Sequence, residues 1–277
     1  MYILLILLAL ILLALSFYGL EINSDKYAFL FDLRLSLIKA FIGTAFFSYL
    51  TCEILSIFNV FSFNYVLISW LLINSIIIYL NKEKIKLNIF SIFSQKIIIP
   101  KQERNILYFI FFLIILPLLL LAIFIPPNNW DSMAYHLPRV EHWIQNKNIY
   151  PYPTNIVRQV LTSPLSEYMI ANFQILSSTD AFSNLVQFSS FIFILFSGTL
   201  IFSLLKIGVK GQLFLFLALL SLPMMLFQAT TTQTDLLASF FFLSFLLFDL
   251  IIIHSDDNFK TNFIFLASSL TLGILTK

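Results

Sequence analysis

Residues 106–139 read ILYFIFFLIILPLLLLAIFIPPNNWDSMAYHLPR, and this stretch decides the fold. Residues 106–125 are almost entirely apolar, and about 20 such residues are what a helix needs to cross the hydrocarbon core of a bilayer. Pro126 and Pro127 end the run, and Asp131, Tyr135, His136 and Arg139 follow closely. Ionisable residues at membrane level are costly and usually functional. The stretch therefore predicts a membrane helix that leads directly into a polar site.

The composition of the whole chain agrees with a membrane protein. Of its 277 residues 60% are hydrophobic and 33 are Phe, whereas soluble domains are about 45–50% apolar. The mean hydropathy is +0.94. The formal net charge is only +2 and no basic stripe is present, which argues against a nucleic-acid partner. Because Cys52 is the only cysteine, an internal disulfide and a cysteine metal cluster are excluded.

Eight apolar runs predict an all-α, polytopic integral membrane helix bundle, with interfacial helices in the first long outer loop. Helices are expected because a segment that crosses the bilayer must satisfy all its backbone hydrogen bonds internally. The first run lacks the positive start and the cleavage site of a signal peptide, so it is interpreted as a retained span. The predicted spans are residues 2–20, 38–58, 63–80, 106–125, 183–205, 211–229, 235–254 and 262–277.

The basic residues predict the orientation of the bundle, since cytoplasmic loops carry an excess of Lys and Arg. If the basic linker 81–105 is cytoplasmic, twelve of the 16 basic residues lie on that side, and loop 126–182 is extracytoplasmic. We therefore divide the chain into residues 1–105, with N-terminal spans and the linker, and residues 106–277, a catalytic membrane module. The chain stops just after its last apolar run, which predicts a fragment of a longer protein.

The outer loop carries two helical patterns. One is a polar face formed at helical spacing by Asp131, Tyr135, Arg139 and His142, and the other is an apolar stripe suited to the membrane surface. Pro138 disfavours helical geometry in the residue before it, which predicts two short helices rather than one. The apolar stripe consists of Met133, Leu137, Val140 and Ile144.

Asp131 is the strongest candidate for a catalytic base. The alternative is a carboxylate that stabilises a helix start by about 1 kcal/mol, but Tyr135, His136 and Arg139 are close enough to favour a site. Arg139 and Arg158 each offer a planar fork that suits phosphate, although both also suit lipid headgroups. His136 is interpreted as a base, a ligand or an interfacial polar residue.

Two further acidic residues are candidates for the same site. Glu167 follows a loop at a predicted helix start, where a carboxylate also stabilises the helix dipole. Asp235 ends the hairpin 230–235, in which Thr232 to Asp235 resembles a capping box. Asp235 is predicted on the same membrane face as Asp131, and two carboxylates can divide the roles of base and of metal or hydroxyl partner. A divalent metal ion is left open as a cofactor, although no paired His and Cys pattern indicates a metal site.

Several motifs in residues 106–277 resemble bacterial GT-C glycosyltransferases, the superfamily of the protein O-mannosyltransferases and lipid A aminoarabinose transferases. The matching segments are residues 130–139, 141–144, 163–167, 184–187, 230–235 and 275–277. The resemblance implies that Asp131 is the catalytic base, and Glu167 and Asp235 are the other catalytic candidates. It also implies a polyprenyl-phosphate sugar as donor and a lipid, glycan or protein acceptor. The candidate substrate-binding residues are Tyr135, His136, Arg139, His142 and Arg158.

Together these features predict a multi-pass enzyme of the cell inner membrane that transfers a sugar to an acceptor hydroxyl in one inverting step. Three other classes of function are considered. A transporter or flippase for lipid-linked sugars is expected to place its polar groups at mid-depth in the bilayer. A glycan polymerase or ligase is expected to have an Arg-rich outer loop late in the chain. A non-catalytic membrane scaffold is the third alternative.

Overall fold

The structure, a computed structural model, describes residues 2–19, 28–94, 99–254 and 258–277. All the regular secondary structure in these residues is helical, and they contain no strand. The all-α prediction is therefore confirmed. Two π-helical turns interrupt the helices. The helices are α1 (Leu4–Phe17), α2 (Ala28–Ile57), α3 (Phe63–Ser94), α4 (Lys101–Ile110), α5 (Leu116–Phe124), α6 (Leu137–Asn146), α7 (Arg158–Leu161), α8 (Leu165–Ser177), α9 (Leu185–Leu204), α10 (Val209–Leu220), α11 (Pro223–Gln228), α12 (Asp235–His254) and α13 (Phe259–Ile274).

Among the described residues, 5 helical segments are long and apolar enough to cross a membrane. Helices α4 and α5 form one of them, because the π-helical turn Phe111–Ile115 joins them without a break. The three shorter apolar helices α1, α10 and α13 occupy the other predicted spans. The chain is thus a multi-pass helical bundle. The five long segments are Leu30–Ile57, Phe63–Ser94, Lys101–Phe124, Leu185–Leu204 and Asp235–His254.

The prediction of one continuous span over residues 211–229 is wrong. Helix α10 ends at Leu220, and Leu222 has extended backbone geometry, with φ −79° and ψ 108°. Pro223 then starts the short helix α11. The cause is the proline ring, which disfavours helical geometry in the preceding residue.

The predicted linker over residues 81–105 is helical for most of its length. Helix α3 continues to Ser94 with a bend at Asn81, and α4 begins at Lys101. Asn88 attaches this C-terminal part of α3 to α1. Its Nδ2 donates to two backbone oxygens at the end of α1, at 2.7 and 3.1 Å. Two basic residues used in the orientation argument, Lys26 and Lys96, lie outside the described residues.

Both π-helical turns end two residues before a proline. Phe111–Ile115 precedes Pro117, and Ser132–His136 precedes Pro138. Within an α-helix the proline ring would clash with the carbonyl four residues earlier, and the wider π turn relieves that crowding. The predicted split of the helix at Pro138 is therefore wrong, because Leu137 keeps helical geometry and the chain runs through a π turn into α6.

Helix α8 lies in the predicted outer loop and is buried almost completely. It packs against α2, α3, α6 and α9. The Trp70 indole N–H donates to Asn172 at 2.8 Å, and the Tyr168 hydroxyl donates to Glu53 at 3.0 Å. α8 thus differs from the interfacial helices predicted for this loop, since its polar residues bind partners inside the bundle.

Helix α2 shows which segments share an end of the bundle. Near its C-terminus, the Ser56 hydroxyl accepts from the backbone N–H of Ile149 at 2.9 Å. Near its N-terminus, Arg34 donates to Gln212 at 3.2 Å. The two positions are about 33 Å apart along an α-helix. The outer loop and the segment before α10 therefore lie at opposite ends of the bundle, as the parity of the predicted spans requires.

Candidate functional site

A polar cavity of about 550 Å³ opens at the end of the bundle that holds the outer loop. This size falls in the range of about 300–1,000 Å³ that is usual for small-molecule sites. Its walls come from four segments that are far apart in the chain. They are the π turn that precedes α6, the helix α7, the hairpin that precedes α12, and the end of α13. The ionisable side chains in its lining are Asp131, Tyr135, His136, Arg158, Asp235 and Lys277.

Asp131 does not stabilise the helix start by capping it. The cap comes from Asn129, whose Oδ1 accepts from the backbone N–H of Ser132 at 2.7 Å, while Asp131 makes no capping hydrogen bond. The Asp131 carboxylate instead accepts from Gln233 Nε2 at 3.2 Å and lies 3.7 Å from Arg158 Nη1. Its exposed fraction is 28%, so water and a ligand can reach it. Asp131 is thus not the N-cap, although its place in the first turn is favourable for a carboxylate through the helix dipole.

The hairpin that precedes α12 packs directly against the π turn. The Thr232 hydroxyl donates to the Ser132 hydroxyl at 2.6 Å, and both residues are fully buried. Gln233 reaches Asp131 from the next position. Thr232 is therefore not the cap of a capping box, and α12 begins only at Asp235.

Asp235 faces the same cavity as Asp131. Its Oδ2 accepts from Gln228 Nε2 at 3.0 Å, and its Oδ1 pairs with Lys277 Nζ. The structure thus brings the two predicted carboxylates, Asp131 and Asp235, into one site, each facing its own cation. As a first-turn residue Asp235 also faces the positive end of the α12 dipole.

Pro138 positions the arginine that faces Asp131. Proline has no N–H to donate to the Ala134 carbonyl, and Gln159 Nε2 donates to that oxygen instead, at 2.8 Å. Gln159 is buried and also accepts from Tyr152 and Thr154, both at 3.0 Å. The anchored Gln159 side chain holds the first turn of α7, and Arg158 is the first residue of that helix.

Tyr135 lies beneath Arg158 in the cavity wall. The guanidinium carbon is 5.7 Å from the centre of the phenol ring. Burial raises the pKa of the Tyr135 phenol above its ordinary value of about 10, the negative charge of Asp131 raises it further, and Arg158 opposes the change. Tyr135 is therefore a neutral hydrogen-bond donor at physiological pH.

His136 and Glu167 form a buried pair. His136 Nδ1 is 2.8 Å from Glu167 Oε1, and Arg139 Nη1 is 3.6 Å from the same oxygen. His136 lines the cavity, whereas Glu167 has no exposed surface and lies behind it. A carboxylate in this position fixes the tautomer and the orientation of the imidazole.

Two other predicted substrate-binding residues lie away from the cavity lining. Arg139 is buried, donates to the backbone and hydroxyl oxygens of Thr162, both at 2.9 Å, and stacks on Trp143 at 4.6 Å. His142 is exposed on α6, and its ring lies 4.0 Å from that of Tyr152. Arg139 thus braces the loop, and His142 takes no part in the cavity.

Several residues of the site have no role in the sequence prediction. Gln233 and Lys277 contact the acidic groups, and Gln159 binds the Ala134 carbonyl oxygen. Each of these contacts joins segments that are distant in sequence, so no local pattern indicates it. Asn129 is different. An Asn three residues before a helical N–H is a recognisable capping pattern, and this signal was available in the sequence.

The cavity does not supply the donors of a typical metal site. In the part of the chain that the structure describes, no group of three or more His, Cys, Asp or Glu side chains is placed to hold a metal ion. Asp131 and Asp235 face Arg158 and Lys277 instead. Each of the two carboxylates thus faces a cationic side chain, and the divalent ion that the sequence left open stays a prediction.

Comparisons with protein-family models, with curated proteins and with solved structures find no match. The resemblance to GT-C glycosyltransferases thus stays a prediction. The geometry of the cavity is the basis for a proposal on function.

Proposed function

We propose that this chain is a membrane glycosyltransferase of the GT-C type, which transfers a sugar from a polyprenyl-phosphate donor to an acceptor hydroxyl. The observation that carries the proposal is the cavity in which Asp131 and Arg158 face each other, 3.7 Å apart, at one end of an apolar bundle. A polyprenyl donor is anchored in the bilayer, so its phosphate and sugar can reach a cavity at the membrane surface. The acceptor is a lipid, a glycan or a protein that arrives from the aqueous side.

Asp131 is the residue suited to be the general base. It is free of the capping role, partly exposed and oriented by Gln233. In the proposed reaction the Asp131 carboxylate takes the proton of the acceptor hydroxyl while the hydroxyl oxygen bonds to the anomeric carbon. The bond between that carbon and the phosphate oxygen breaks at the same time, and its electron pair leaves with the polyprenyl phosphate. A single displacement of this kind inverts the anomeric centre.

The leaving phosphate needs positive charge and hydrogen-bond donors. Arg158 and Lys277 are the two cations of the cavity, with exposed fractions of 70% and 65%, so a phosphate can reach both. The neutral Tyr135 phenol adds an uncharged donor beside Arg158. Because the protein supplies these groups itself, no step of the mechanism passes through a metal ion.

The other acidic residues take supporting roles in the proposal. Asp235 orients the acceptor or Lys277, since it lies in the cavity wall and pairs with that lysine. Glu167 is a positioning residue, because it has no exposed surface and its oxygen holds His136 and Arg139. His136 then offers its outer face to the cavity as a donor or acceptor for the substrate.

The proposal places the chain in the inner membrane with eight spans, in which α1, α10 and α13 join the five long segments. The cavity faces the extracytoplasmic side. The distribution of Lys and Arg supports this orientation. Contacts between the outer loop, the hairpin 230–235 and the end of α13 support a common face for all three.

The direct test is sugar transfer in membranes of cells that make this chain, with a panel of radiolabelled polyprenyl-phosphate sugars. We expect label in the lipid, glycan or protein fraction, and a loss of about 100-fold or more in Asp131→Asn, which keeps the size but removes the base. The control is Asp180→Asn, since Asp180 is an exposed carboxylate of the same loop outside this cavity. Transfer at the parental rate by Asp131→Asn would exclude Asp131 as the base. Absence of transfer from every donor by the well-folded parent would overturn the proposal in favour of a transporter or a scaffold.

A further inference from the structure

A second cavity, of about 210 Å³, lies at the opposite end of the bundle from the polar one. Its walls come from the start of α2, from α4, and from α9 and α10. They are mostly apolar and include Leu107, Phe196, Leu213 and Phe216. Two oppositely charged residues, Arg34 and Glu103, line this apolar space as well.

In the part of the chain that the structure describes, the acceptors around the Arg34 guanidinium are neutral. Its Nε donates to the backbone oxygen of Leu30 at 3.0 Å, and Nη1 donates to Gln212 Oε1 at 3.2 Å. Within the described part of the chain no carboxylate lies within ion-pair distance of it. Among the described residues, therefore, none compensates the charge of Arg34, and its guanidinium keeps N–H groups for a ligand.

Glu103 is turned inward in a way that its neighbours are not. Its exposed fraction is 8%, whereas Lys101, Gln102, Arg104 and Asn105 are all exposed. Its Oε2 is buried without a hydrogen-bond partner among the described residues. The dipole of α4 explains a carboxylate in the first turn, but it does not explain why the carboxylate points into an apolar cavity.

Two opposite charges share one apolar space without forming a salt bridge. Removing a charge from water costs several kcal/mol unless a partner compensates for it. A ligand that brings an anion to Arg34 and a cation to Glu103 would compensate both at once. An apolar tail on the same ligand would fill the space between Leu107 and Phe216.

We propose that this cavity binds a phospholipid with a phosphoethanolamine headgroup, taken from the surrounding bilayer. The phosphate fits the guanidinium fork of Arg34, and the primary ammonium fits the Glu103 carboxylate. One acyl chain lies on the apolar wall, next to the side chains of Tyr108 and Phe214, which are apolar and exposed. The inference does not depend on sugar transfer, because the cavity shares no residue with the polar site.

Headgroup chemistry makes the proposal selective. Phosphatidylglycerol carries the phosphate but no ammonium, so Glu103 would be left unpaired. Phosphatidylcholine carries a cation that has no N–H to donate to a carboxylate. One charge-assisted hydrogen bond contributes about 1.5–3 kcal/mol, which corresponds to at least about tenfold in binding.

The test is native mass spectrometry of the purified chain in detergent, with the three lipids added at equal concentration and with identical acyl chains. We expect phosphatidylethanolamine to be retained at least about tenfold more than phosphatidylglycerol or phosphatidylcholine. Glu103→Gln should abolish this preference, and Arg34→Gln should weaken retention of all three lipids. The controls are Glu83→Gln and Arg104→Gln, two exposed residues that do not line the cavity, and both should behave like the parent.

Equal retention of the three lipids by the parent would overturn the proposal, and so would an unchanged preference in a folded Glu103→Gln variant. Preferential retention of phosphatidylglycerol would assign the cavity to anionic lipid instead. Circular dichroism and size-exclusion chromatography establish whether each variant is folded. If a variant does not fold, the headgroup preference of the parent alone decides.

Discussion

The two cavities of this bundle treat their charges in opposite ways. At the polar end Asp131 and Asp235 each face a cation, and all four side chains are at least partly exposed. At the other end Arg34 and Glu103 lie in a mostly apolar cavity, and no salt bridge joins them. Charges that are paired but exposed can exchange their partners for a substrate. In the apolar cavity Arg34 is half-buried and Glu103 is buried, so a bound partner that compensates both charges is expected to remain in place.

The two cavities also differ in how they are built. The polar one is held by hydrogen bonds between segments about 100 residues apart, such as Thr232 to Ser132 and Gln233 to Asp131. The apolar one is formed mainly by helix ends and side-chain packing, with one long-range hydrogen bond, from Arg34 to Gln212. Contacts between distant segments allow the polar site to be assembled precisely, and they also make it sensitive to single substitutions.

The largest effect is expected from thiol labelling at the two ends of the bundle. If both ends proved to lie on one side of the membrane, the contrast between the two cavities would not hold. Cysteine introduced at the exposed residue Asn146 should react fully with an impermeant thiol reagent in cells with a permeabilised outer membrane. Cysteine at Lys84, on the extension of α3, should not react in intact cells. Native Cys52 is fully buried, so the background is low. The reverse pattern would place the polar cavity in the cytoplasm.

A matched pair of arginines separates bracing from substrate binding at the polar end. Arg139→Lys should lower the free energy of unfolding by about 2 kcal/mol, because lysine loses the bonds to Thr162 and the stacking on Trp143. The KM for the donor should not change. Arg158→Lys should raise that KM several-fold and leave the stability within about 0.5 kcal/mol. Thermal unfolding and donor titration measure both quantities. A raised KM with unchanged stability in Arg139→Lys would restore Arg139 as a substrate-binding residue.

The apolar runs and the residue types after them were enough to predict the helices and the general place of the site. Each of these signals is local, because twenty apolar residues or an Asp after two prolines need no tertiary information. The break at Pro223 follows the rule that the residue before a proline avoids helical geometry, but the same rule fails at Pro138, where Leu137 stays helical. The break at Pro223 was missed because the hydrophobicity of residues 211–229 continues across it.

The partners of the site residues could not be predicted in the same way. Glu167 was interpreted as a catalytic residue, and its complete burial follows from the packing of α8 against four other helices. The two π turns could not be predicted either, although their position before Pro117 and Pro138 has a simple steric reason. Lys277 reaches Asp235 across 42 positions of sequence. Such pairings depend on how helices pack, and a single sequence gives no measure of that.

The smallest effect is expected from Thr232→Val, which removes the hydrogen bond between the hairpin and the π turn without changing the shape of the side chain much. Both hydroxyls are fully buried, so Ser132 loses a donor that no water can replace, at a cost of about 1 kcal/mol. Because Gln233 is the next residue, its contact with Asp131 should loosen, and transfer should fall a few-fold while donor binding is retained. Thr230→Val is the control, since the Thr230 hydroxyl donates within its own turn, to the Phe227 carbonyl at 3.4 Å. If the two variants lose stability and transfer equally, the contact between Thr232 and Ser132 does not assemble the polar site, and the hairpin is held by packing alone.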